Sequence, residues 1–146
     1  MRSSRFAVAV HILTLLELSG GEPVTSEWIG ASVGTNPAVI RRILCMLSRA
    51  GLTTSQPGNG GGARLARPAA GMTLLEVYRA VGGGDPLGLR HEHPDPGCAV
   101  GRHVEGLLAA ATGLAQRALE AELARRTVAE VVRVVAGVEG SDRPAH

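Results

Sequence analysis

Residues 25–68 read TSEWIGASVGTNPAVIRRILCMLSRAGLTTSQPGNGGGARLARP, and this stretch decides the fold. Asn36 can cap the free amides of a helix whose first residue is Pro37, where a missing N–H costs nothing. Gly51 ends that helix. Within it Ile40, Ile43, Leu44 and Leu47 recur at three- and four-residue steps and form one apolar stripe, which leaves Ala38, Arg41, Arg42, Cys45 and Arg49 on the other side. Upstream, Thr25 or Ser26 can cap a shorter helix with Glu27 in its first turn and Trp28, Ile29 and Val33 on its apolar side. Gly34-Thr35-Asn36 joins the two, the length of a helix-turn-helix turn, with the glycine relieving crowding between the helices. Downstream, Leu52–Pro57 reads as a short edge strand, Gly58–Gly62 as a turn and Ala63–Arg67 as the returning strand. Helix, tight turn, helix and glycine-tipped hairpin together make a winged helix-turn-helix.

An exposed helical face bearing two adjacent arginines has the width and charge to enter a DNA major groove. The charge distribution agrees. Residues 1–67 carry seven Arg against Glu17, Glu22 and Glu27, whereas the remainder carries eight Arg against ten acids. No Asp or Glu occurs from Trp28 to Leu75, the window that holds Arg41, Arg42, Arg49, Arg64 and Arg67. A polyanionic partner explains that asymmetry better than an ordinary solvated basic patch does. The expected DNA contacts are Ser26, Thr35, Asn36, Pro37, Ala38, Arg41, Arg42 and Cys45 from the helix pair. Gly61, Gly62, Arg64 and Arg67 follow from the wing, the glycines letting backbone approach the duplex and the arginines touching phosphate or minor groove. A nucleotide-binding reading of the glycine run fails on context, because no Lys-Ser or Lys-Thr follows and no helix begins there.

The chain has 146 residues, 45% of them hydrophobic, with one Phe, one Trp and one Tyr, so its core is built from Leu, Val, Ile and Ala. The fold class expected is mainly α, with the hairpin as its only sheet. All 15 basic side chains are Arg, the better groove reader and phosphate clamp. Two cysteines are too few for a disulfide framework, no signal peptide is read and no segment is apolar enough to span a bilayer, so the expected location is the cytoplasm, away from membranes. No Ser-His-Asp or Cys-His pairing can be placed, so no enzyme is expected.

Four regions are expected: a winged domain over 1–82, a loop over 83–97, dimerisation helices over 98–138 and a disordered tail over 139–146. The first helix, capped by Ser3 or Ser4 and reaching about Leu18, carries Ala7, Val8, Val10, His11, Leu15 and Leu18 around much of its circumference, with His11 as a core or boundary residue. Thr73 caps a fourth helix, Leu74 to Val81. From Cys98 to about Arg126 the pattern is continuously helical, with Val104, Leu107, Leu108, Ala111, Leu114, Ala115, Ala118 and Leu119 along one broad side. A rod of that length exceeds what a small domain can cover, which predicts a two-fold dimer with Val128, Val131, Val132, Val134 and Val135 returning over the seam.

Cys98 falls at the start of the long helix with Arg102 and His103 one turn on, a setting that favours a reactive thiolate. Three readings stay open there: a redox or electrophile sensor, a plain helix-starting residue, and a metal site drawn from His91, His93, Cys98 and His103.

Taken together, Asn36-Pro37, Arg41-Arg42-Ile43-Leu44, Leu47, Ala50-Gly51-Leu52, Gly61-Gly62 and Leu65-Ala66 resemble the Rrf-two family of bacterial winged-helix regulators. The run His93-Pro94-Asp95-Pro96-Gly97-Cys98-Ala99-Val100-Gly101 is similar to a YwnA-like subgroup without a cluster. The resemblance implies a homodimeric transcription factor, usually a repressor, whose winged domains bind a pseudo-palindromic operator in double-stranded DNA. Cluster-binding members of the family use three closely spaced cysteines before the long helix. Here Cys98 stands alone, so no cluster of that kind and no cofactor is expected, and no residue is assigned as a metal ligand. The competing expectation is a winged helix that serves only as a protein-interaction module.

Overall fold

A computed structural model describes residues 4–83 and 95–141, the side chains of 139–141 excepted. Helices α1 (Arg5–Leu18), α2 (Ser26–Val33) and α3 (Pro37–Arg49) are followed by an antiparallel hairpin, β1 (Thr53–Gln56) and β2 (Gly62–Leu65). A single 3-10 turn (Ala69–Gly71) leads into α4 (Leu74–Ala80), and α5 (Ala99–Arg125) and α6 (Val128–Ser141) complete the chain.

Capping chemistry sets the starts of the middle helices. The Thr25 side chain accepts from the Trp28 amide at 3.2 Å, and Asn36 Oδ1 accepts from the Ala38 amide at 2.8 Å with Pro37 as the first helical residue. Gly34 closes α2 in the left-handed region, at φ 78°. The crowding between α2 and the turn is relieved by a different glycine from the one expected. A Cβ on Gly30 would lie 2.8 Å from the Thr35 carbonyl oxygen, so the closest approach occurs inside α2 and not at the turn.

In α1 the buried apolar side chains are Ala9, Ile12, Leu13 and Leu16, and they meet Ile29, Ile40, Ile43, Leu47, Leu52, Met72 and Val77 in one core. His11, expected as a core or boundary residue, lies on the outer side of this helix. Ala7, His11 and Leu18 are exposed, whereas Val8, Val10 and Leu15 are half-buried. The helix is apolar around most of its circumference, so its sequence does not specify which stripe turns inward. Trp28 was also expected on the apolar side of α2 and is 56% exposed, leaving Ile29 to fill the core.

The hairpin pairs Thr53 with Leu65 and Gln56 with Gly62, and Val24 adds a one-residue rung on its other side. The Val24 amide donates to the Ala63 carbonyl at 3.0 Å, and the Ala63 amide donates back at 2.8 Å. β2 is therefore bordered on both sides. The wing is tied to the link between α1 and α2 as well as to α3.

A second clasp draws in the C-terminal part. The Leu74 amide donates to the Arg126 carbonyl and the Val128 amide to the Met72 carbonyl, both at 2.9 Å, and Val128 is fully buried. The first turn of α6 thus packs in the core of the winged domain, where the sequence suggested only a return over a dimer seam. Its helix runs through Ser141, so the tail expected from Glu139 is helical to that point, and residues 142–146 lie outside the described residues. None of the 27 residues of α5 is buried.

Candidate nucleic-acid interface

The apolar stripe of α3, with Ile40, Ile43, Leu44 and Leu47 buried, fixes the rotation of that helix about its axis. Ala38, Arg41, Arg42, Cys45 and Arg49 are all exposed as a result, as the spacing predicts. Asn36 is exposed with its side chain used as the cap, and Ser26, Thr35 and Pro37 are half-buried around the α2–α3 turn. Among the described residues Arg42, Arg49 and Arg64 have no acidic partner. Arg41 has one. Its Nη2 donates to Oε1 of Glu27 in the first turn of α2, a pairing that local sequence patterns do not signal because the two residues lie 14 positions apart.

In the wing the two expected arginines line one cleft but differ in their partners. Arg64 is exposed on β2, directly opposite Thr54, and borders a cleft of about 330 Å³ that Leu16 and Glu17 of α1 also line. Arg67 turns back into the protein. Its Nη1 donates to the Gly71 carbonyl and its Nη2 to Glu76 Oε1 at 2.7 Å, so much of its hydrogen-bonding capacity serves to tie the hairpin to α4. Glu76 is held in turn by the capping box at the start of α4, accepting from the Thr73 amide at 2.9 Å. That backbone hydrogen bond, with the Arg67 guanidinium beside it, holds the Glu76 carboxyl below its ordinary value of 4.5 against a smaller opposing effect of burial.

The glycines expected to approach DNA also have internal reasons to be glycine. Gly61 is buried, and a Cβ there would collide with the Gln56 carbonyl. A Cβ on Gly62 would sit 2.5 Å from the Val24 carbonyl. The solvent-facing tip is Pro57–Gly60.

Cys98 occupies the N-cap of α5, its Sγ accepting from the Gly101 amide at 3.4 Å. Both cysteines are free and exposed. Arg102, expected beside the thiol, donates instead to the Pro96 carbonyl at 2.9 Å. His91 and His93, and with them the metal reading that used them, lie outside the described residues. No helix among the described residues is long and apolar enough to cross a membrane.

Comparison with known proteins agrees with this geometry. The Rrf2 family profile, described as an iron-dependent transcriptional regulator, matches residues 2–134. The Bacillus subtilis protein YwnA, named as an HTH-type transcriptional regulator, is 42% identical over 132 residues, which cover 90% of this chain and 97% of YwnA. A crystal structure described as a DNA-binding protein is 40% identical, with a TM-score of 0.68 over 88% of this chain and 98% of that one. The IscR structure from T. potens shares the fold, with a TM-score of 0.69 at 18% identity over 100% of this chain and 93% of that one.

The donor set does not suit an iron–sulfur cluster of the three-cysteine kind. The whole chain has two cysteines, one on α3 and one at the start of α5, and among the described residues no three His, Cys, Asp or Glu side chains gather as a metal site. The relatives are transcriptional regulators and not enzymes, and with a matching profile over nearly its full length this chain belongs to the Rrf2 family of winged-helix transcriptional regulators.

Proposed function

We propose that two copies of this chain associate through α5 and act in the cytoplasm as a repressor, each inserting α3 into the major groove of one half of a pseudo-palindromic operator. The observation that carries the DNA reading is the arginine face of α3, exposed and standing in a stretch of sequence without acids. A duplex offers the matching density of negative charge. The name of YwnA and the description of the 40% identical structure support the same reading.

Association is supported by α5. Val100, Leu107 and Leu114 are 69%, 69% and 72% exposed and recur every seven residues, which aligns them along one side of a helix about 40 Å long. Apolar side chains so arranged and left to water lower their free energy by packing against a second copy. The two α3 helices would then face successive major grooves about 34 Å apart. Repression itself rests on the family resemblance.

Cys98 supports a thiol response. Oxidation of its exposed Sγ by a peroxide, which gives a sulfenic acid and water, or alkylation by an electrophile would enlarge and alter the group that caps α5, and so reach the dimer through its longest helix. Cys98→Ser keeps a capping oxygen and removes the thiol chemistry. Operator occupancy that responds to oxidant in the wild type and not in this variant is the expected result; unchanged occupancy in both would eliminate the switch.

The test of the DNA reading is selection from a random duplex pool, followed by titration of the enriched duplex and a scrambled one. Arg42→Ala should cost about 1–3 kcal/mol on the enriched duplex and relax its base preference, whereas Arg64→Ala should weaken both duplexes alike. Equal losses from Arg42→Ala on both would remove direct readout. No enrichment at all would leave the protein-interaction reading in possession.

A further inference from the structure

We propose that Glu27 is a positioning residue that sets the sequence selectivity of Arg41. The inference rests on the DNA reading above and goes beyond it by assigning a role to the acid that pairs with one arginine of the α3 face. Glu27 is the last acid before the acid-free window, and its carboxylate lies against the guanidinium of Arg41 across the α2–α3 turn. The two side chains are 66% and 58% exposed, so their pairing contributes little to stability in water. At a DNA-facing surface a carboxylate also repels phosphate. Its consequence for binding comes from geometry.

Both ends of the pair are fixed. Glu27 stands in the first turn of a helix capped by Thr25, and Gly30 brings that helix against the Thr35 carbonyl at the threshold of α3. Arg41 therefore hangs from a rigid frame with one Nη2 hydrogen engaged and its other donors available. Reading a guanine needs two parallel donors aimed at its O6 and N7. A guanidinium already oriented by a carboxylate loses less freedom when it makes that contact. On a duplex without a guanine at that position, the oriented Arg41 gains no base contact, so the repulsion between Glu27 and the phosphates is not compensated there. Glu27 thus favours the matched site over the mismatched one through the arginine it orients.

The experiment is a double-mutant cycle on the duplex enriched from a random pool by the wild-type protein, with a scrambled duplex of the same composition as reference. Glu27→Ala should bind the scrambled duplex about twofold more tightly, and the ratio of the two affinities should fall about five- to tenfold. Glu27→Gln, which keeps an acceptor oxygen at the same reach, should keep more of the affinity for the enriched duplex than Glu27→Ala does. In an Arg41→Ala background, Glu27→Ala should raise both affinities by one factor and leave their ratio unchanged. A merely structural role would lower the melting temperature without moving the ratio. An unchanged ratio in the wild-type background, or the same fall in both backgrounds, overturns the proposal and spares the DNA reading. Failure to enrich any sequence overturns both.

Discussion

Gly30→Ala sets two effects against each other in one side chain. In an open helix the change stabilises by about 1 kcal/mol, because alanine loses less backbone freedom on folding than glycine. At Gly30 the new Cβ would lie 2.8 Å from the Thr35 carbonyl oxygen, 3.4 Å from the Pro37 nitrogen and 3.5 Å from Pro37 Cδ. The first two are backbone atoms at the threshold of α3, so no flexible side chain can yield. The Gly30 carbonyl also accepts from the Gly34 and Thr35 amides, at 2.8 and 2.9 Å, so moving the turn away strains two hydrogen bonds. Overpacking of this kind costs about 1–3 kcal/mol, which exceeds the propensity gain and leaves a net loss of about 1 kcal/mol. For a chain of this size that is a fall in Tm of about 3 °C. The assay is thermal unfolding followed by far-ultraviolet circular dichroism, at one protein concentration because association shifts Tm. Gly106→Ala is the control: a Cβ there meets nothing within 4 Å in α5, so the propensity gain should appear unopposed. A Gly30→Ala protein melting at or above the wild type would refute the reasoning.

Gly62→Ala should be more damaging, since its Cβ would fall 2.5 Å from two backbone atoms of Val24, at a φ of 149°. Hydrogen exchange should show the Val24 and Ala63 amides losing protection, and retained protection would contradict the close approach. Val128→Ala removes two methyl groups from a fully buried site and should cost about 2 kcal/mol in urea unfolding. An unchanged midpoint would take α6 out of the core. Glu76→Gln tests the capping carboxylate through pH. Because the folded protein holds Glu76 below its ordinary 4.5, the stabilisation is complete well above that value and is lost as pH falls through the folded one. The Tm gap between wild type and variant should therefore be widest near neutrality, begin to narrow as pH approaches 4.5 and close once pH has fallen through the lowered folded value. A gap that persists into acid would show that charge is not its source.

The readings that held were local ones. Asn36-Pro37, the Ile40–Leu47 stripe, the three-residue turn and the glycine-tipped hairpin are specified by capping and periodicity within a few residues, and these place Arg41, Arg42, Cys45 and Arg49 on the surface. The rod-like α5 was legible for the same reason. Tertiary structure decided whatever depended on the distance between elements. It chose Ala9, Ile12, Leu13 and Leu16 as the inner stripe of a helix apolar nearly all round, and left Trp28 exposed. It brought Glu27 to Arg41, turned Arg67 back to Glu76 and inserted Val128 beside Met72. Helical period and caps are properties of neighbouring residues, so the sequence encodes them openly; which faces and charges meet depends on how the finished helices stack, and that is fixed only when the chain packs around one core.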